Sequence, residues 1–290
     1  MIYLVLSIIS SVIIFVIFKL FSKYQINTLH AIVVNYIVAC VSGIVAYENS
    51  VNYAETHLHD WFYYSLGLGA LFIIVFNLMA LTTQRSGLSV VSVATKMSVV
   101  IPIIFGFLYY KESFGVSKII GVTLALIAVY LVSSKTKDGL SLSAKGWIFP
   151  LLVFVGSGII DTSLKFLENS FVAENDVPIF SATIFGAAAC IGIIVLLFNA
   201  AKGNFTFQFK NILGGIVLGI PNYFSIYFLV KALRSDLLDS SGIFTVNNVG
   251  VVMASTLIGI VLFKEKLSPK NWLGIVLAIL SILLVTLSGF

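Results

Sequence analysis

The sequence predicts an all-α integral membrane protein of ten transmembrane helices, arranged as two inverted five-helix repeats. Three observations lead to this prediction. The 290 residues are 59% hydrophobic and only 10% charged, whereas soluble domains carry about 25% charged residues. Apolar runs of about the 20 residues that cross a bilayer alternate with short polar gaps. The third observation is an internal repeat with an offset of 153 residues.

Each apolar run, taken from one polar gap to the next, is a predicted span. The ten spans cover residues 2–20, 29–47, 61–82, 88–110, 116–133, 147–167, 178–199, 211–232, 241–263 and 270–289. No basic residue precedes the first run and no cleavage site follows it, so we interpret it as a helix rather than as a signal peptide. Pro102 and Pro221 lie inside spans and are expected to kink or open their helices.

The repeat is clearest in the last two spans of each half. Glu112 and Glu265 each follow a lysine in a polar gap, and Gly121 and Gly274 come after them at the same offset. The predicted repeats are residues 1–134 and 147–290, joined by a linker at 135–146. Because five spans is an odd number, the second repeat must enter the membrane from the opposite side. Inverted repeats of this kind are typical of transporters.

Composition and motifs exclude several other functions. The net charge of +5 comes from loop lysines, which indicates membrane-surface charge rather than a nucleic-acid site. Cys40 and Cys190 lie in apolar runs, where core packing is the simplest interpretation. His57 and His59 lie in an acidic loop, which we interpret as solvated rather than metal-binding. No ATP-binding loop or nucleophile–base cluster is present, so we expect no enzyme activity, no cofactor and no metal.

The chain resembles the drug/metabolite transporter superfamily, and within it the EamA-like branch. The matching residues are Lys111-Glu112 with Gly121, Glu265 with Gly274, and Lys19 near the end of the first span. The resemblance implies transport by alternating access around a central cavity lined mainly by spans 1, 3, 4, 6, 8 and 9. Spans 5 and 10 would form a scaffold. In that picture Glu112 and Glu265 are structural residues near helix ends, not substrate ligands.

Two charged residues lie deep in predicted spans. Lys96 is in span four and Asp161 in span six, where a charge costs at least about 2.5–3.5 kcal/mol on insertion scales. If both face the cavity, Lys96 could meet the carboxylate of a zwitterion and Asp161 its ammonium group. A carboxyl group in a low-dielectric cavity also holds a proton more readily, so Asp161 is the candidate for proton coupling. The alternatives are a buried ion pair that only fixes two helices, or side chains that reach the interface.

Uncharged polar side chains extend the same predicted substrate-binding surface. They are Asn77, Asn222, Tyr223, Tyr227, Asn247 and Asn248. Interhelical hydrogen bonding is the alternative for the adjacent asparagines. Asn35, in span two, is interpreted as a packing residue.

The favoured substrate is an amino acid or a related zwitterion, carried by a secondary-active transporter in a cell membrane, the inner membrane of a bacterium. The first alternative is an exporter of amphipathic drugs or nucleobase-like solutes. The alternative from another class is a non-transporting membrane scaffold or receptor. Expected partners are the lipid bilayer, the small-molecule substrate and protons as coupling ion, for a monomer or homodimer. The distribution of loop lysines favours both termini outside the cytoplasm, whereas the resemblance implies both inside.

Overall fold

The computed structural model describes residues 1–46, 57–110, 116–133, 147–173, 176–203, 208–233 and 240–287. Throughout these residues the regular structure is helical. The helices are α1 (Ile2–Lys23), α2 (Thr28–Val45), α3 (Phe62–Ser86), α4 (Leu88–Met97), α5 (Val100–Tyr110), α6 (Val116–Ser133), α7 (Ile148–Phe171), α8 (Val177–Ala201), α9 (Phe209–Leu233), α10 (Ser240–Phe263) and α11 (Pro269–Leu287). The predicted all-α membrane fold is confirmed.

The helices follow the predicted spans closely. The larger departures are at the ends of α3, which runs to Ser86 rather than 82, and of α7, which runs to Phe171 rather than 167. Span four is divided into α4 and α5, whereas α9 continues unbroken through Pro221. Among the described residues, six helices are long and apolar enough to cross a membrane, and four shorter apolar segments fall on the other predicted spans.

The chain divides into two compact units, and the first consists of Met1–Lys19, Leu78–Ile159 and Phe224–Phe290. Within it α6 packs along α11, and α4 packs against α6, α10 and α11. Met97 of α4, Ala125 of α6 and Ala278 of α11 are fully buried in their common core. Small side chains at such contacts let helix backbones approach closely, which is how helices gain packing energy in lipid.

Two contacts between α6 and α11 join residues that correspond to each other at the offset of the sequence repeat. A Cβ atom on Gly274 would lie 3.0 Å from the carbonyl oxygen of Ala128. The hydroxyl of Ser281 donates to the carbonyl of Gly121 at 2.7 Å. At the offset of 153 residues, Gly274 corresponds to Gly121 and Ser281 to Ala128, so the two contacts are equivalent with the helices exchanged. The division into repeats 1–134 and 147–290 stays a prediction, and this contact supports it.

The second unit consists of Leu20–Asn77 and Ile160–Tyr223. Within it α2 packs along α8, and glycines of α8 and α9 face α2. A Cβ atom on Gly192 would lie 2.4 Å from Cγ2 of Val33, and one on Gly215 would lie 2.5 Å from the carbonyl oxygen of Ala31. Tyr36 is fully buried here. The close approach of α2 to both helices therefore depends on glycine.

The boundaries between the two units fall inside α1, α3, α7 and α9. Each of these helices contributes one part to each unit. The linker at 135–146 and the signature residue Glu112 lie outside the described residues.

Candidate functional site

The helix of the fourth predicted span is interrupted between Met97 and Val100. Pro102 provides the physical cause, because it has no N–H to donate to the carbonyl of Ser98 and its ring crowds that carbonyl. The Ser98 carbonyl accepts instead from the amide of Ile101 at 2.9 Å. The span therefore opens four residues before the proline, as the sequence predicts.

Lys96 lies in the last turn of α4, directly before this interruption, and its side chain is half-buried. The carbonyls at a helix C-terminus carry partial negative charge, which stabilises a nearby cation. The hydroxyls on either side are engaged locally, since Thr95 donates to the carbonyl of Val91 at 2.8 Å and Ser98 to that of Thr95. Lys96 thus places a charge at a discontinuous helix, the feature around which many transporters build their substrate site.

Asn247 is a member of a buried polar bridge within the first unit. It is 1% exposed, and its side-chain oxygen lies 3.2 Å from the hydroxyl of Ser7. The same hydroxyl lies 3.0 Å from the carbonyl oxygen of Ser225. The bridge joins α1, α9 and α10, so interhelical hydrogen bonding accounts for this Asn247 contact. The neighbouring Asn248 is also buried.

Asn222 has a comparable role in the second unit. Its side-chain nitrogen donates to the side-chain oxygen of Asn35 at 3.2 Å. Asn35 is fully buried, and its own side-chain nitrogen has no hydrogen-bond partner among the described residues. Sequence reasoning interpreted Asn35 as a packing residue and did not predict its hydrogen bond to Asn222. The available signal was its position as a lone amide in an otherwise apolar span.

The remaining predicted site residues have different surroundings. Asn77 donates to the carbonyl of Ile73 in its own helix at 2.8 Å. Asp161 is exposed and Tyr223 is half-buried. The ring of Tyr227 packs edge-on against Phe228. None of these contacts is specific to a substrate site.

The eight predicted substrate-binding residues divide evenly between the units. Lys96, Tyr227, Asn247 and Asn248 belong to the first, and Asn77, Asp161, Asn222 and Tyr223 to the second. The structure brings together Asn247 with Ser7, and Asn222 with Asn35. A common cavity for all eight stays a prediction.

A second group of polar residues lies where α3 meets α4. The carboxylate of Glu265 accepts a hydrogen bond from the backbone N–H of Leu88 at 2.8 Å and lies 3.3 Å from the hydroxyl of Ser89. The ammonium group of Lys19 lies 3.8 Å from the same carboxylate and donates to the carbonyl of Thr83 at 3.3 Å. The negative charge therefore lies at the N-terminus of α4 and the positive charge at the C-terminal turn of α3. Both positions favour those charges through the helix dipoles.

Two glycines make room for this carboxylate. Gly87 is the single residue between α3 and α4. Its φ is 102°, a backbone conformation that residues with a side chain rarely adopt. A Cβ atom on Gly259 of α10 would lie 2.5 Å from Oε2 of Glu265. After α10 ends, Lys264 takes a φ of 51°, and the amide of Glu265 donates back to the carbonyl of Gly259 at 3.0 Å. The sequence indicated a role near a helix end, but it did not indicate which helix the side chain caps.

His57 and His59 are exposed, and His59 stacks on Trp61 with ring centroids 4.9 Å apart. No group of three or more histidine, cysteine or acidic side chains among the described residues could hold an ion.

Comparisons with known proteins agree with this architecture. Residues 1–134 match the model of the EamA-like transporter family. An uncharacterized protein of Haemophilus influenzae is 32% identical over 289 residues, covering 96% of this chain and 95% of the relative. A solved crystal structure with 13% sequence identity has a TM-score of 0.59 and covers 97% of both chains. At that identity the likeness shows the fold alone.

Proposed function

Because the chain belongs to the EamA-like transporter family, we propose that it is a secondary-active transporter of a small polar organic metabolite, with an amino acid or a related zwitterion as the favoured substrate. Its helices make it a multi-pass membrane protein. The proposal places it in the inner membrane of a bacterium, as a monomer or homodimer that alternates access to a central site. It takes protons as the coupling ion, with Asp161 as the group that carries them.

The observation that carries this proposal is the position of Lys96 at the interruption between α4 and α5. A lysine at membrane depth costs at least about 2.5–3.5 kcal/mol on insertion scales, and the partial charges of the α4 C-terminus stabilise a cation at this position. In this proposal the carboxylate of the substrate binds beside Lys96 during transport. The ammonium group of the same substrate needs a negative or polar partner, and the proposal assigns this role to Asp161.

The asparagines supply polar contacts in this proposal rather than charge. Asn247 and Asn222 each make a buried hydrogen bond to another helix. Their contribution to substrate binding would therefore depend on exchanging that partner for the substrate. A substitution of Lys96 tests the proposed site more directly than a substitution of either asparagine, because it removes a charge rather than one partner of a hydrogen bond.

A second substrate class is favoured by one observation. Phe224, Tyr227 and Phe228 form an aromatic cluster on α9, with the Phe224 and Phe228 rings stacked at 5.3 Å. Tyr3 of α1 stacks on Phe228 at 6.4 Å. An aromatic surface of this kind suits an amphipathic drug or a nucleobase-like solute.

The test is an uptake screen with purified protein in proteoliposomes, using pools of radiolabelled L-amino acids and, separately, nucleobases and amphipathic cations. We expect uptake of an amino acid pool by the unaltered protein, and loss of that uptake in Lys96→Ala with unchanged insertion and folding. Lys270→Ala is the matched control, because Lys270 is exposed at the start of α11.

Normal uptake by Lys96→Ala would remove Lys96 from the substrate site. Uptake confined to the nucleobase or amphipathic pools would favour the second substrate class. Absence of uptake for every pool, in protein that is folded and inserted, would favour a non-transporting scaffold or receptor.

A further inference from the structure

Glu265 is the residue through which the connection between α10 and α11 holds α4. Its carboxylate accepts from the amide of Leu88, the first residue of α4, at 2.8 Å. The residue before the helix is Gly87, which has no side chain to cap the exposed N–H groups of the first turn. The acceptor that an N-cap serine or aspartate usually supplies therefore comes from a residue 177 positions away.

The carboxylate of Glu265 is largely buried. The Glu265 side chain is 12% exposed, and the side chain of its partner Lys19 is 24% exposed. A Cβ atom on Gly87 would lie 2.6 Å from Oε1, and one on Gly259 would lie 2.5 Å from Oε2. The space at both glycines is therefore filled by this one carboxylate.

The helix that Glu265 caps is short and ends beside Lys96. α4 has ten residues, and Leu88 and Lys96 lie about 12 Å apart along its axis at about 1.5 Å per residue. The interruption at Ser98 and Val99 separates α4 from α5. Since Leu88 and Lys96 belong to one continuous helix, a displacement of α4 at Leu88 would also displace Lys96.

We propose that Glu265 is a positioning residue of the transport site, which fixes α4 at its N-terminus and thereby fixes Lys96 at the other end. Lys19 supports the carboxylate by neutralising its charge and by bonding the last turn of α3 through Thr83. The proposal rests on the proposed function, in which Lys96 meets the substrate. Glu265 itself does not contact the substrate in this proposal.

The experiment measures the reactivity of a cysteine beside Lys96, so it needs no knowledge of the substrate. Cys40 and Cys190 are first replaced by alanine. Thr95, which is half-buried, is then replaced by cysteine, and this cysteine is labelled with a small methanethiosulfonate reagent. We expect Glu265→Ala to change the labelling rate by about fivefold, the factor that corresponds to loss of one helix cap. Glu265→Gln keeps an oxygen that can accept from Leu88 and should give a smaller change. Lys270→Ala should give none.

A second label separates positioning from general loss of structure. Thr183→Cys replaces a half-buried threonine of α8 in the other unit, and its labelling rate should stay the same in the Glu265 variants. Equal changes at both labels would mean that Glu265→Ala loosens the whole protein, and would overturn the proposal. An unchanged rate at Thr95→Cys would overturn it as well.

Uptake in proteoliposomes, with the same pools of radiolabelled L-amino acids, then distinguishes this inference from the proposed function. If Lys96→Ala abolishes uptake and Glu265→Ala lowers it, both hold. If Lys96→Ala abolishes uptake while Glu265→Ala transports normally, the positioning role alone is refuted. Normal uptake by Lys96→Ala refutes the proposed site, and with it the reason for positioning Lys96.

Discussion

A Cβ atom on Gly87 would lie 2.6 Å from Oε1 of Glu265, so the glycine that connects α3 to α4 and the carboxylate that caps α4 occupy adjoining space. Gly87 also has a φ of 102°, a conformation that costs a residue with a side chain roughly 1–3 kcal/mol. We therefore expect Gly87→Ala to lower the stability of the folded protein by about that amount. The thermal denaturation of the purified variant in detergent measures it.

Gly67→Ala is the matched control for this change. Gly67 lies in α3, and no atom lies within 4 Å of the position its Cβ would take. Alanine in a helix interior is better than glycine by roughly 0.5–1 kcal/mol, so this variant should be as stable as the unaltered protein or slightly more stable. Similar losses at both positions would show that neither the backbone conformation nor Glu265 restricts Gly87.

The contact between α6 and α11 leads to a second prediction. A Cβ atom on Gly274 would lie 2.6 Å from Cγ2 of Val132 and 2.9 Å from its backbone nitrogen. Because the nearby backbone atom cannot rotate away, Gly274→Ala should separate the helices and cost about 1–3 kcal/mol, as overpacking does elsewhere. Thermal stability in detergent again provides the measurement. A Gly274→Ala protein as stable as the unaltered protein would argue against this contact.

The positions of the helices could be predicted from the sequence because length and apolarity alone determine which segments cross a bilayer. A disturbance of the helix near Pro102 could also be predicted, since the missing N–H lies in the same segment. The same reasoning applied to Pro221, where α9 continues unbroken, so the sequence did not indicate which proline interrupts its helix. The capping of α4 by Glu265 could not be predicted, because Glu265 and Leu88 are 177 positions apart and no local sequence pattern indicates a contact over that separation.

The buried polar partners were harder still to predict. Hydroxyl groups in helices commonly bond their own helix, as Thr123 does with the carbonyl of Ile119. Nothing in the local sequence distinguishes Ser7, whose hydroxyl faces Ser225 and Asn247 on other helices. The lone amide of Asn35 had the same ambiguity, and only the packing of α2 against α9 pairs it with Asn222.

A third prediction concerns this pair of amides. Asn222→Ala removes the side-chain donor that Asn35 has at 3.2 Å and leaves a fully buried amide with less compensation. Such a loss costs about 1–3 kcal/mol in soluble proteins, whereas polar pairs in membranes average about 0.6 kcal/mol. We therefore expect Asn222→Ala to lower the free energy of unfolding by between about 0.6 and about 3 kcal/mol, measured by thermal denaturation.

The double variant Asn35→Leu with Asn222→Leu should be more stable than the sum of the single variants predicts, because both buried amides are removed together. If the pair serves only packing, the double variant should retain transport in proteoliposomes. Loss of transport by a stable double variant would support the predicted role of Asn222 in binding the substrate.

The last prediction concerns Asp161, which lies in the second unit, whereas Lys96 lies in the first. If the Asp161 carboxylate takes up and releases a proton in each cycle, Asp161→Asn should lose accumulation driven by a pH gradient. Exchange of substrate at equal pH should survive, because asparagine keeps the shape and part of the hydrogen bonding while titration is lost. Asp60→Asn, in an exposed turn, should behave as the unaltered protein in both assays.

The competing interpretation is that Asp161 only neutralises Lys96. Asp161→Asn would then remove the partner of Lys96. Because Lys96 is half-buried and Asp161 is exposed, the loss of stability should be smaller than the about 3–5 kcal/mol that breaking a fully buried pair costs. Expression and thermal stability would fall, and Lys96→Met combined with Asp161→Asn should restore them. The two interpretations therefore differ in stability as well as in transport. A stable Asp161→Asn protein that still accumulates substrate along a proton gradient would contradict both.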